Sequence, residues 1–290
     1  MQFKQTLACG LFLFAAFSMH AQTTYLPQGA KENILLERLE IKLGRDSVLN
    51  FSKNKPFSRK QYIGHLSRLD STVLTSAADR YNWYSAMVNN MEWAQGSRAD
   101  YASKKPLGKT FYQTPANFYE TYSEDFFLAV NPVLQLNLSK ERDNDQTLFQ
   151  NTRGLSLRGR IANKVGFSAY ITENQERTPE YVQDWVAERR AVPGAGFYQV
   201  FKTTGYDYFD ARGTISFNAA KYIDISFGYD RNFIGNGYRS LFLSDFSNNT
   251  LFLKLNTRIW KFNYQNLFME LQTNERVGAD ILIPKKYAAM

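Results

Sequence analysis

Apolar and polar positions follow three different rhythms along this chain of 290 residues. Near the start, Leu7 to Phe17 is an unbroken apolar run (LACGLFLFAAF). Over residues 57–94 the apolar positions fall at helical spacing: Tyr62, Leu66, Leu69 and Val73, then Ala77, Tyr81, Tyr84, Val88 and Met91. That spacing predicts a helical hairpin. Ser58 and Gln61 form a capping-box pattern at its start, with Phe57 and Tyr62 at the staple positions. Residues 22–56 carry no clear period. From residue 126 the period becomes two, which predicts strands. Leu134, Leu136 and Leu138 alternate with Val133, Gln135 and Asn137; Leu155, Leu157 and Ile161 with Ser156, Arg158 and Arg160. The same alternation continues through 165–171, 212–217, 223–229, 251–255 and 260–264, seven predicted strands in all.

The connections sort by length. Tight links are expected at Asn163-Lys164, Ala219 to Lys221 and Thr257-Arg258, and long ones over about 139–152, 174–209 and 231–248. Short turns at one end and long loops at the other are the pattern of an outer-membrane barrel, where a soluble β-sandwich has no reason to sort its loops. The expected fold is therefore an all-β transmembrane antiparallel barrel preceded by an α-helical hairpin or bundle on the periplasmic, short-turn side. Seven strands leave an open edge that lipid does not tolerate, and the end, Pro284 to Met290, does not read as a closing strand with a terminal aromatic. The expectation is a partial barrel in a truncated sequence.

Composition sharpens this picture. Aromatic residues are 16% of the chain, with 18 Tyr and 23 Phe, yet the mean hydropathy is −0.43. A wall with one apolar and one polar face reconciles the two. Lys4, the apolar run and the small residue Ala21 make up a secretory signal peptide with cleavage after Ala21. The run is too short for a membrane-spanning helix, which needs about 20 residues. Cys9 is the sole cysteine and lies within that leader, so the mature chain holds no disulfide and no thiolate metal site. The domain expectation is 1–21 leader, 22–125 periplasmic and partly helical, and 126–290 the first part of the barrel. A formal charge of +8 on an exported chain points to acidic glycans or lipid head groups as partners, not nucleic acid.

Candidate chemistry sits in two places. Arg158, Arg160, Arg212, Lys254 and Lys261, opposed by Asp224, fall on the polar rows of the strands and would line a basic lumen. Arg231, Tyr238, Arg239 and Asp245, in the connection DRNFIGNGYRSLFLSD, could contact a glycan, with Tyr238 as a stacking platform. A helix is expected from Thr178, as N-cap with Pro179 at N1, to about Arg190, with Tyr181, Val182, Trp185 and Val186 on one face. It would pack on the barrel rim or fold into the lumen. Catalysis is not expected. His65 is the only histidine beyond the leader and lies on the predicted helical side. Paired carboxylates such as Glu173 and Glu176 could in principle cut a glycoside, but pairs like these are usually solvated loop charges. No cofactor and no metal are implied.

The stretch GNGYRSLFLSD resembles the signature loop of the Wzi-type capsule assembly proteins, and TTYLPQGAKENILLERLEI resembles the RemB-like branch of that family found in gliding bacteria. The resemblance covers most of the mature chain and is strongest over 210–271. It implies an outer-membrane barrel with a periplasmic helical bundle that binds or organises surface polysaccharide. It also implies surface-export or motility proteins as further partners and a link to gliding. The competing expectation is a porin-like channel for anionic solutes.

Overall fold

The computed structural model describes residues 24–45, 48, 54–94, 98–142, 144–162, 164–220, 222–260 and 262–271, and the backbone of 276–277, 281–282 and 286–289. The leader 1–21, Asn163, Lys221 and Lys261 lie outside the described residues.

The N-terminal part is helical. α1 (Lys31–Leu43) arises in the segment where no period was legible, and Gly44 ends it in the left-handed conformation, with φ 75°. α2 (Arg59–Leu66) starts at Ser58, whose hydroxyl accepts the Gln61 N–H at 3.3 Å. It stops at Leu66, and Ser71–Val73 form a separate 3-10 turn, so the first expected helix is two pieces. α3 (Ala77–Asn89) opens on a second capping box, Ser76 with Asp79. Asp79 is enclosed, with Arg38 at 2.7 Å, and hydrogen bonds from Lys42, Ser76 and Arg38 hold its carboxyl well below the usual carboxylate range.

Leu35, Leu36 and Leu39 of α1 pack on Tyr62, Ile63 and Leu66 of α2 and on Ala86 and Met87 of α3, forming one apolar core. On α3 the buried side differs from expectation: Val88 and Met91 are buried, but Tyr81 and Tyr84 are exposed. The enclosed Asp79 and its cations turn the helix so that Trp83 and Ala86 face the core instead.

The rest is an antiparallel sheet of ten strands. It contains β2 (Tyr119–Tyr122), β3 (Phe126–Lys140), β4 (Thr147–Ile161), β5 (Val165–Arg177), β6 (Gln199–Phe201), β7 (Gly205–Ala220), β8 (Ile223–Asp230), β10 (Thr250–Ile259), β11 (Phe262–Leu271) and β14 (Lys286–Ala289). The seven long strands are the seven read from the sequence, paired in chain order. Two short pairs stand outside the sheet: β1 (Asn54–Lys55) with β9 (Phe233–Ile234), and β12 (Arg276–Val277) with β13 (Ile281–Leu282).

Three details depart from expectation. β2 adds a strand ahead of residue 126. Lys286–Ala289, not read as a strand, extends the sheet beside β11. The third tight turn falls between Ile259 and Phe262 rather than at Thr257-Arg258, because Asn256 to Ile259 continue the ladder opposite Gln265 to Phe262. Trp260 is thus a turn residue with φ 52°, not a strand residue. Among the described residues β2 and β14 are the two ends of the sheet, and no pairing closes it into a barrel.

The strand register makes each face continuous. One row runs Phe167, Ile215, Phe227, Leu253, Phe268 across five strands; the row one residue over runs Arg160, Gly166, Ser216, Ser226, Lys254. The apolar rows face outward and are exposed, Leu134 at 79% and Phe262 at 74%. The polar rows face inward and are buried: Thr152, Arg160, Thr172, Ser216, Ser226 and Lys254. The exposed apolar outer face inverts the polarity of a sheet in a water-soluble protein, while the inner face is mixed and also buries Phe127, Phe252, Leu267 and Met269. Toward the long loops the outward face turns polar, where Arg153 and Glu173 pair at 2.9 Å. Gly154 holds β4 and β5 close, since a Cβ there would stand 2.0 Å from the Ile171 carbonyl oxygen.

Candidate functional site

The inner face is occupied from both ends. From the turn end comes the helical part. The Arg158 guanidinium ion-pairs with Glu92 at 3.0 Å and donates to the Asn89 carbonyl at 2.6 Å. Arg160 stacks over Trp93 with its guanidinium carbon 5.3 Å from the ring centre. Arg258 donates to the Val48 carbonyl at 2.8 Å. The helices therefore lie against the sheet's concave side. The segment Thr24–Leu26 pairs with Phe57–Arg59 through main-chain hydrogen bonds, and this carries Tyr25 to within 5.6 Å of the Lys254 ammonium.

From the loop end comes the connection 231–249. Ile234 and Leu243, bridged by main-chain hydrogen bonds, pack onto the inward-facing Phe252, Leu267 and Met269. Lys254 donates to Asn232 at 2.9 Å. The two fillings meet where β1 pairs with β9, with the Lys55 ammonium 5.2 Å from the Phe233 ring centre.

Of the expected basic row, Arg158, Arg160, Arg212 and Lys254 share the inner face with Asp224. Lys261 lies outside the described residues. Arg212 pairs with Asp210 at 2.9 Å and stacks 4.3 Å over Tyr170. Asp224 accepts from Asn218 at 2.6 Å. The partners of Arg158 and Arg160 come from the helical part, not from further strands.

The loop candidates divide. Arg231 is a structural clamp: it donates to Asn249 at 3.1 Å, to the Asp245 carbonyl at 3.5 Å and to the Gly194 carbonyl at 2.6 Å, and so joins two long loops. Tyr238, Arg239 and Asp245 come together at the surface. Arg239 ion-pairs with Asp245 at 2.6 Å and lies 5.1 Å from the Tyr238 ring centre, and the Asp245 carboxylate holds the Arg239 guanidinium above its ordinary pKa. Tyr238 is 90% exposed, beside exposed Leu241 and Phe242. Gly235 adopts φ 138°, and the Ser240 hydroxyl bonds back to the Ile234 carbonyl, which sets the loop's sharp return.

The loop helix α4 (Glu180–Arg189) begins one residue later than expected, with Pro179 as a cap that offers no side-chain bond. Val186, Val182 and Trp185 pack on Val192, Tyr206 and Tyr208, while Tyr181 is exposed. Tyr206 and Tyr208 belong to inward rows, so the helix leans over the loop end of the inner face. Glu173 and Glu176 point to opposite faces: Glu173 pairs with Arg153, and Glu176 accepts from the Tyr208 hydroxyl at 3.2 Å. They are not brought together. His65 sits on α2 within the helical part. Among the described residues no group of three His, Cys, Asp or Glu side chains could hold a metal ion.

The reading from sequence missed Tyr25 and Arg59. Arg59 is buried and bonded to Asn90 and to the Tyr25 carbonyl, the latter at 3.2 Å. Its burial, with Arg158 nearby, lowers its pKa to about 10, so it stays charged at neutral pH. Neither residue belongs to a periodic row that would have marked it. No family model, no curated protein and no solved structure matches the chain.

Proposed function

We propose that this chain is part of an exported outer-membrane barrel protein that binds or organises surface polysaccharide through its long loops. The observation that carries the reading is the inverted sheet. Its outward rows expose contiguous apolar side chains, which water disfavours and lipid accepts. Its inward rows hold the buried polar side chains, interrupted by Phe127, Phe252, Leu267 and Met269, and are covered by the helical part and by the connection 231–249. A solute channel needs a passage along that inner face, and here the two fillings meet in it. Recognition rather than conduction is the better use of such a barrel. The exposed Tyr238, beside the Arg239–Asp245 pair, offers a ring face for sugar stacking next to charged donors and acceptors, and residues 235–245 are those that resemble the capsule-assembly loop.

The test is made in the native host. Tyr238→Ala with Arg239→Ala is expected to shift polysaccharide from the cell surface into the medium while the protein still reaches the outer membrane. Unchanged attachment together with reduced uptake of small anions would reject the glycan reading in favour of the channel.

A further inference from the structure

A cavity of about 130 Å³, several waters' worth of space, lies between the N-terminal segment and the inner face of the sheet. Its walls carry an excess of positive charge. Arg158 and Arg212 contribute to it, but each has a carboxylate of its own, Glu92 and Asp210. Arg59 and Lys254 also line it, 8% and 4% exposed. Among the described residues neither has a carboxylate within the 4.0 Å of an ion pair. Lys254 has one hydrogen-bond acceptor, Asn232, for an ammonium with three N–H groups. Among the described residues the one carboxylate on the wall, Asp230, accepts the Arg231 backbone N–H at 2.7 Å and acts on both Lys254 and Arg212, so it offsets one of the wall's five cations. Much of the remaining wall is apolar, including Leu26 and Phe252. Positive charge is thus in excess on the wall, and buried cations that outnumber their counter-charges are disfavoured unless an anion joins them.

We propose that this cavity is a binding site for a small oxyanion, with Lys254 and Arg59 supplying the charge and the Arg212 Nε–H a further donor. The Arg212 Nε–H is buried and has no partner among the described residues. The site includes Arg231 of the connection 231–249 but none of Tyr238, Arg239 and Asp245, and does not depend on their role. A carboxylate on an acidic sugar and a free phosphate share the required chemistry.

The experiment titrates the purified full chain in detergent, at low salt, with glucuronate, inorganic phosphate and glucose, followed by calorimetry. Saturable binding of an oxyanion and none of glucose is expected, weakened at least tenfold by Lys254→Met and by Arg212→Gln. Glucuronate that displaces phosphate makes the sugar carboxylate the ligand; phosphate binding without glucuronate binding makes it free phosphate. The proposal is overturned if neither oxyanion saturates, if glucose binds as well as glucuronate, or if both variants bind like the parent chain.

Discussion

At the scale of single residues, the inner face is organised by charges whose partners lie far away in sequence. The Arg158 and Glu92 side chains are only 13% and 2% exposed, and removing one leaves the other without compensation. Glu92→Gln is expected to cost about 3 kcal/mol of stability, read as a lower denaturant midpoint. Arg158→Met added to it should recover part of the loss, because two neutral groups then face each other. A midpoint unmoved by Glu92→Gln would mean that water, not Arg158, satisfies the carboxylate. The inward direction of Arg158 was legible from alternation with Leu155 and Leu157. Its partner was not, since a period of two reports which face a side chain occupies and nothing about what covers that face. The same limit explains Tyr81 and Tyr84: helical spacing marks a stripe, but the ion pairs of Asp79 decided which side of α3 turned inward.

At the scale of elements, the sheet is held by register. One slipped residue would turn the Phe167 to Phe268 row inward and expose Lys254 and Arg160. The outward row gives a direct check on its surroundings. Phe227→Arg places a charge in the middle of that row and is expected to cost about 2–4 kcal/mol if lipid surrounds it, seen as weaker folding into vesicles and earlier loss of heat-resistant mobility. Folding as efficient as that of the parent chain would count against a lipid-facing surface. Arg153 and Glu173 on the same outward face are consistent with a band that ends toward the long loops. All seven long strands were legible because each alternates over several residues. The turn between Ile259 and Phe262 was not legible because Ile259, Trp260 and Phe262 are all apolar; only the pairing of Ile259 with Phe262 reveals where the chain reverses.

At the scale of the whole molecule, the helical part and the connection 231–249 form one filling of the concave side, joined at β1 and β9. Lys55 and Phe233 are opposed partners there, at a separation that suits a disulfide. Lys55→Cys with Phe233→Cys is expected to cross-link under mild oxidation, seen as a mobility change on a denaturing gel that reductant reverses. Each single variant should stay unlinked. Failure of the pair to link would show that the two ends of the filling do not meet. A locked pair would also report whether the filling must move for the protein to work in the cell.

What the sequence determined by itself is local and periodic. Hydrogen-bonded strands need alternation to sort their two faces, and helix starts need a cap such as Ser58, so both are written in residues close together along the chain. The basic inner row and the loop trio Tyr238, Arg239 and Asp245 were legible for the same reason, as neighbours on one strand or in one loop. The tertiary structure alone decided that the helices enter the concave face, that Arg231 ties two loops and is not a free surface cation, and that Tyr25 and Arg59 meet Lys254 around one cavity. Those contacts join segments from tens to more than two hundred residues apart. They follow from the need to neutralise buried charge and cover polar rows, a constraint on the packed whole that no short window of sequence contains.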